Sequence, residues 1–253
     1  MSDFWEEYGK AYAVFAHYCS FDDWKVNLKQ IAMEAAGTNQ DAPLTVLDVG
    51  SGYGKDVLDL SRILLAQTQK IPVFDVVEPP SFAREMLRRI LISHTEGGCL
   101  RNEYDDISEI GEEQYDAILF MNAAYYIEGF ENVLDNCLER HLKPGGRVII
   151  LALPETSDFF LDIPDLVLPY NATEIQDVLC KRDIPFSKIQ LRSTYYLPEM
   201  AALSQSLIDH LYTFMTESKI SKEKFLTALV RKRSEGFLDF KDELIVIERT
   251  VTG

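Results

Sequence analysis

Three glycines spaced two apart, Gly50, Gly52 and Gly54, interrupt an apolar run (Leu44 to Val49) and give way to a helical pattern from Asp56 onward. Glycine in such a turn lets the backbone bend tightly and lets a ligand lie against bare N–H groups with no Cβ between. At the carboxyl end of a parallel strand, this is where open α/β sheets hold nucleotide-like ligands. A phosphate-bearing dinucleotide calls for G-x-G-x-x-G. Here the third glycine comes one residue early, and Lys55 stands where that pattern needs glycine. The spacing G-x-G-x-G behind an acidic strand end, Asp48, suits a ligand without phosphates. The next strand, Val73-Phe74-Asp75-Val76-Val77, ends in Glu78, a carboxylate placed to accept both ribose hydroxyls of a nucleoside.

The elements that must carry these residues follow an α/β alternation. Apolar runs predict strands over 44–49, 72–77, 99–103, 115–121 and 146–153, and a 3.6-residue period predicts helices over 54–67, 81–94 and 130–141. Strands alternating with helices predict a doubly wound, seven-stranded, mostly parallel sheet. After a proline-punctuated loop over 161–169, a helix opens at Asn171 and a strand at Ser187, and the last strand is Leu244 to Glu248. Residues 197–237 read as a helical insertion before that strand (200–217 and 221–233), above the ligand edge of the sheet. Residues 1–36 read as one or two helices, with Tyr8, Tyr12, Phe15 and Tyr18 on one face and Phe21, Trp24 and Leu28 on another. Such stripes, like Trp5 and Trp24, either pack on a core or, with the insertion, cover a ligand pocket; aromatic faces exclude water and can meet a cation. At 253 residues the chain fits one domain, 1–253, with the ligand-binding core in 44–153.

Composition removes several functional classes. Acidic residues outnumber basic ones 41 to 25, for a formal charge of −16, which disfavours phosphate-backbone contacts and so a nucleic-acid partner. No apolar run approaches the ~20 residues a membrane helix needs, and the first residues lack a basic signal-peptide start. No membrane partner is therefore expected, and a cytoplasmic location is. Cys19, Cys99, Cys137 and Cys180 form no C-x-x-C pair, which fits a reducing compartment and argues against structural zinc. The expected partner is a small-molecule substrate, bound by a monomer.

With Leu142-Lys143-Pro144-Gly145-Gly146-Arg147-Val148-Ile149-Ile150 behind the glycine turn and Glu78, the chain resembles the class I S-adenosylmethionine-dependent methyltransferases, in which such a run leads into the fifth strand. The resemblance implies S-adenosylmethionine as cofactor, S-adenosylhomocysteine as product, and no metal. It implies that Gly50, Ser51, Gly52 and Gly54 offer backbone to the amino-acid and ribose parts while Asp48 orders the loop. Glu78 takes the ribose diol, Asp105 or Asp106 meets the adenine amino group, and Met121 and Asn122 lie beside the methionine part. After the fourth strand the chain reads Asn122-Ala123-Ala124-Tyr125-Tyr126-Ile127. It lacks the prolines of the N/D-P-P-Y/F motif with which base-modifying relatives clamp a flipped base, and it lacks a carboxylate trio for magnesium.

The Val76-Val77-Glu78-Pro79 and Tyr125-Tyr126-Ile127 steps, the helical insertion, the ending Ile245-Val246-Ile247-Glu248 and an N-terminal Gly9-Lys10-Ala11-Tyr12 leading to Phe15 are similar to the histamine N-methyltransferase-like proteins. That likeness implies a substrate side that includes Tyr12, Asn122 and Asp239 or Phe240, and Phe15, Tyr126 and His210 are further candidates to line it. An acid that anchors the amine in that family corresponds to Val14 here. What carries over is a small, flat or amine-bearing acceptor and transfer to nitrogen, with oxygen or sulfur of a small metabolite, or cofactor binding without transfer, as the alternatives. A neutral amine or imidazole needs no dedicated base; His17 and His210 are the candidates if one exists, and Tyr125 and Tyr126 could aim a hydroxyl at the acceptor.

Overall fold

Apolar residues on both faces make β1 (Thr45–Val49) a central strand. Val46 packs toward one layer of helices, Leu47 and Val49 toward the other, and all three are buried. Parallel neighbours β2 (Val73–Val77) and β4 (Tyr115–Met121) flank it. With β3 (Leu100–Tyr104), β5 (Leu142–Ala152), β6 (Ser187–Tyr195) and β7 (Leu238–Glu248), the sheet has seven strands in the order β3-β2-β1-β4-β5-β7-β6. β7 runs antiparallel to both of its neighbours, β5 and β6, and every other pairing is parallel. This is a computed structural model, and it describes residues 7–11, 21–37, 43–94, 99–161, 163, 166, 168–195, 204–216, 219–233 and 238–249.

Helices cover both faces, as a parallel sheet requires. On one face α1 (Phe21–Ala36), α2 (Lys55–Thr68) and α3 (Ser81–His94) bury Leu28, Ile31, Leu60, Leu64 and Leu87 against Val46, Val76 and Leu119. On the other, α4 (Phe130–Asn136), α5 (Ala172–Lys181), α6 (Gln205–Thr216) and α7 (Lys222–Arg233) join a core with Phe120, Ile150 and Ile245. Each Leu or Phe so buried contributes ~2 kcal/mol. α5 starts where Asn171 caps it, its Oδ1 accepting from the N–H groups of Thr173 (3.0 Å) and Glu174 (3.1 Å).

Three expected boundaries move. The helix expected over 130–141 changes to a π turn at Cys137–His141. β5 begins at Leu142, not 146, because the Lys143-Pro144-Gly145-Gly146 run bulges out of a strand already paired with β4 at Tyr115↔Leu142. β7 begins at Leu238, six residues early, and pairs with β6 from Leu238 to Val246. The run Asp239-Phe240-Lys241-Asp242-Glu243 carries too many charges to read as strand, yet Asp242 and Glu243 are both buried. No helix among the described residues is long and apolar enough to cross a membrane.

Candidate functional site

The carboxyl ends of β2, β1 and β4 stand side by side, with Val49 in register with Val77 and Asp48 with Leu119. Gly50, Glu78 and Asn122 therefore leave the sheet along one edge. The glycine turn is fixed by its own backbone: Gly50 N–H donates to the Val77 carbonyl (2.8 Å) and Gly54 N–H to that of Ser51 (3.0 Å), while Ser51 Oγ donates to the Asp48 carbonyl (2.9 Å). Added Cβ atoms would sit 2.6 Å from Ala123 Cβ at Gly50 and 2.6 Å from Leu87 Cγ at Gly54. Those two glycines serve close packing against the β4 end and α3. Gly52 differs. Its φ is +55°, and a Cβ there would meet nothing within 4 Å, so its peptide lies open to a ligand.

Two buried carboxylates stand at these strand ends. Glu78 Oε2 accepts from Gly52 N–H at 2.7 Å, and no other hydrogen bond among the described residues uses its side chain. Burial raises the Glu78 pKa, opposed by the Gly52 N–H and the Arg84 charge. Arg84 on α3 holds this strand end: its guanidinium donates to the Glu78 and Pro79 carbonyls and pairs with Asp105 at 2.6 Å.

Asp48 is 3 % exposed, and its Oδ1 is buried with no hydrogen-bond partner. Burial pushes its pKa up to about 7, opposed by Ser51 and reinforced by the charges of Asp56 and Glu78. The contrast with Asp75, the fully buried acid of β2, is instructive. Asp75 accepts from Arg101 (2.9 and 2.7 Å), from Asn102 N–H (3.0 Å) and from the Tyr115 hydroxyl (2.8 Å). One acid is part of a closed structural network; the other is left with an open valence at the ligand edge. A polar group buried without a partner costs free energy, and it persists where something else binds it.

Asp56, at the start of α2, accepts from Trp24 Nε1 at 3.0 Å, which ties α1 to the glycine turn. Burial raises its pKa too, with the Trp24 bond opposing. Beyond β3, Asp105 is exposed in its pair with Arg84, and Asp106 caps a short turn by accepting from Ser108 N–H at 2.8 Å, which holds its pKa low. Met121 packs on the core shared with α1 to α3. Asn122 adopts a left-handed φ of +52°, its N–H donates to the Leu151 carbonyl (2.9 Å), and its Oδ1 accepts from the Tyr125 hydroxyl (2.5 Å). A non-glycine residue held in that conformation at a strand end is a strained position of the kind that clusters at functional sites.

Above the β4 end lies an aromatic chain that the sequence shows only in part. The hydroxyls of Tyr8 and Tyr126 are 2.5 Å apart, and the Tyr8 ring lies 5.5 Å from both Tyr126 and Phe214. Phe159 continues the chain, 5.8 Å from Phe214 and 5.7 Å from Phe240. The helical turn at residues 7–11 thus meets α6, and its Gly9 leaves no room for a Cβ beside Tyr53 of the glycine turn. Tyr8 belongs to the N-terminal aromatic stripe; Arg84, Phe159 and Phe214 carry no signal beyond ordinary amphipathic spacing.

Other sequence candidates are not brought to this edge. His210 is held to its own helix, its Nδ1 donating to the Ser206 carbonyl at 2.6 Å. Asp239 pairs with Thr194 through the β7 backbone, and its side chain lies outside the described residues, as do Tyr12, Phe15 and His17. Among the described residues no group of three or more His, Cys, Asp or Glu side chains could hold a metal ion.

No family model matches the sequence, and no curated protein matches it. Solved structures do match. A candidate methyltransferase from Bacillus halodurans C-125 is similar over 90 % of this chain and 99 % of its own, at 13 % identity and a TM-score of 0.58. The O-MT segment of StiE is similar over 90 % of this chain and 74 % of that one, at 13 % identity and a TM-score of 0.52. The (4+2)-cyclase SpnF is similar over 89 % of this chain and 81 % of its own, at 12 % identity and a TM-score of 0.55. At such identities likeness establishes architecture, not activity. The chain has the Rossmann-like methyltransferase fold.

Proposed function

We propose that this protein is an S-adenosylmethionine-dependent methyltransferase acting on nitrogen of a small amine- or imidazole-bearing molecule. The observation that carries the reading is the pairing of an orphaned buried carboxylate, Asp48 Oδ1, with the open peptide of Gly52 beside Glu78. A ligand with an α-ammonium group and a ribose diol fits that donor set. Asp48 would take the ammonium, Glu78 the diol through its unused oxygen, and Gly52 the flank of the sugar. Dinucleotide phosphates would meet three acids there, Asp48, Asp56 and Glu78, and be repelled.

When bound, this cofactor supplies a methyl group already activated by its positive sulfur. The chain's own task is then positioning and exclusion of water rather than covalent chemistry. Asn122, fixed by Tyr125, holds the end of β4 in one conformation. Tyr8, Tyr126 and Phe214 form an aromatic wall above it, suited to a flat acceptor and to a low-dielectric site that favours a neutral amine over its ammonium form.

A second reading keeps the cofactor and drops the transfer, as the likeness to a cyclase of this fold allows. Transfer to oxygen or sulfur is a third. Calorimetry with S-adenosylhomocysteine tests the shared premise. Product release from S-adenosylmethionine over a panel of amines, phenols, carboxylic acids and thiols separates the three. Binding without turnover on any class favours the second, and turnover confined to phenols or thiols the third. No binding removes them all.

A further inference from the structure

Resting on the methyltransferase reading, we propose that Arg84 is a positioning residue of the cofactor site: its guanidinium fixes the Glu78 peptide so that the free carboxylate oxygen meets the ribose diol. The sequence creates the need for it. Glu78 is followed by Pro79 and Pro80, two residues without an N–H to offer the carbonyls around them. The N–H groups of Ala83 and Arg84 go to the Pro80 carbonyl (3.0 and 3.2 Å), where α3 opens. The carbonyls of Glu78 and Pro79 are left to a side chain, and the Arg84 guanidinium donates to both, to Pro79 at 2.7 Å.

The strand end is thereby held from two sides. Glu78 N–H donates to the Tyr104 carbonyl of β3 (3.1 Å), and its own carbonyl accepts from Arg84 on α3. With the peptide fixed, a single bond places the side chain, Oε2 on Gly52 N–H at 2.7 Å. Oε1 is the oxygen left for a ligand, on a residue only 8 % exposed. A carboxylate pinned in this way meets a diol without first losing its rotamer freedom, a cost that weakens looser sites. The guanidinium charge acts in the same direction. It opposes the rise that burial imposes on the Glu78 pKa, and so favours a hydrogen-bond acceptor over a protonated acid.

The neighbouring arginines of α3 show that this contact is particular. Arg88 and Arg89 pair with the side chains of Glu103 and Glu85, their own side chains 52 % and 71 % exposed, and such surface pairs contribute little. The Arg84 side chain is 13 % exposed and reaches main chain. Its planar fork spans two consecutive carbonyls, a geometry that the single ammonium of a lysine does not reproduce. Its pair with Asp105 then joins the segments that follow β2 and β3 through one guanidinium.

The test measures, by calorimetry on the full chain, the affinities of S-adenosylhomocysteine and of its 2′-deoxyribose analogue. The wild type is expected to prefer the ribose form at least tenfold, and Glu78→Ala to erase that preference. Arg84→Met keeps the aliphatic stem, leaves Glu78 in place, and should bring the two ligands within threefold of each other. Should Arg84→Met fail to fold, Arg84→Gln serves for the same comparison. A preference that survives either the Glu78 or the Arg84 substitution overturns the proposal, as does its absence from the wild type. Equal weakening of both ligands in Arg84→Met leaves the ratio intact, and so reduces Arg84 to a structural tie. Failure of S-adenosylhomocysteine to bind the wild type overturns the cofactor reading instead, and is seen in the same titration.

Discussion

Replacing Asp48 by Asn gives the most direct test of the site, because it predicts opposite effects on stability and on binding. In the free protein the carboxyl group is buried, and its pKa rises from 3.8 to about 7. The unfolded chain gives up this proton near pH 4, whereas the folded chain keeps it until about pH 7. Across that interval the folded state binds more protons, so stability falls as pH rises. At 1.36 kcal/mol per unit, a shift of about three units corresponds to ~4 kcal/mol, of which ~2–3 kcal/mol is lost between pH 5 and pH 8. Asparagine has the same shape and no charge. The advantage of Asp48→Asn over the wild type should therefore grow by ~2–3 kcal/mol from pH 5 to pH 8, or ~5–10 °C in melting temperature for a chain of this size. Urea and thermal unfolding of both proteins at the two pH values measure this, and the double difference cancels raised groups not coupled to Asp48, such as Asp242. The same substitution should weaken S-adenosylhomocysteine at least tenfold at pH 8. A stability difference that stays flat with pH would show that Asp48 is not a desolvated charge, and the argument for a cationic ligand end would go with it.

Glu78→Ala should weaken S-adenosylhomocysteine by at least tenfold in calorimetry, and unchanged affinity would remove Glu78 from the site. Gly52→Ala and Gly54→Ala should part company. The first adds a methyl to open space and costs ~1 kcal/mol for its positive φ, with cofactor binding lost. The second drives a Cβ to within 2.6 Å of Leu87 and should show its larger cost in urea unfolding. Tyr8→Phe removes one partner of the Tyr8–Tyr126 hydroxyl pair. It should cost ~1 kcal/mol of stability and lower methyl transfer while S-adenosylhomocysteine binding is retained; unaltered transfer would make this turn mere packing. Deleting residues 1–30 is a poorer test of the same idea, since it strips Leu28, 1 % exposed, from the core under α1.

The parallel half of the fold is legible in the sequence because β1, β2 and β4 are buried on both faces and read as continuous apolar runs. The glycine turn and Glu78 are legible for a related reason: unusual backbone demands leave unusual residues. Where the sequence misleads, a local rule is overridden by a distant partner. Asp239 to Glu243 look like a polar turn, and become strand because β6 supplies a full ladder and because Gln176 Nε2 donates to Glu243 at 2.5 Å. The three glycines look equivalent, but Ala123 and Leu87, remote in sequence, explain two of them. The aromatic wall is assembled from residues 8, 126, 159, 214 and 240, which no periodicity connects.

Charge at the ligand edge draws these strands together. A chain with a formal charge of −16 can keep its acids in water, and Asp75 shows how it treats one it must bury for structural ends, with a bidentate arginine and a tyrosine. Asp48 receives no such partners. It lies on the sheet face packed by α1 to α3, beside the glycine turn. Leaving a carboxylate unpaired weakens the free protein at neutral pH and strengthens any complex in which a cation meets it, since the ligand then gains what the fold forgoes. A protein arranged in this way should be stabilised by S-adenosylhomocysteine, whose α-ammonium would meet Asp48, more at pH 8 than at pH 5, because the carboxylate is ionised only at the higher value. Melting temperature with and without S-adenosylhomocysteine at the two pH values measures that effect. Stabilisation that is the same at both would mean that the buried acid has no cation to meet.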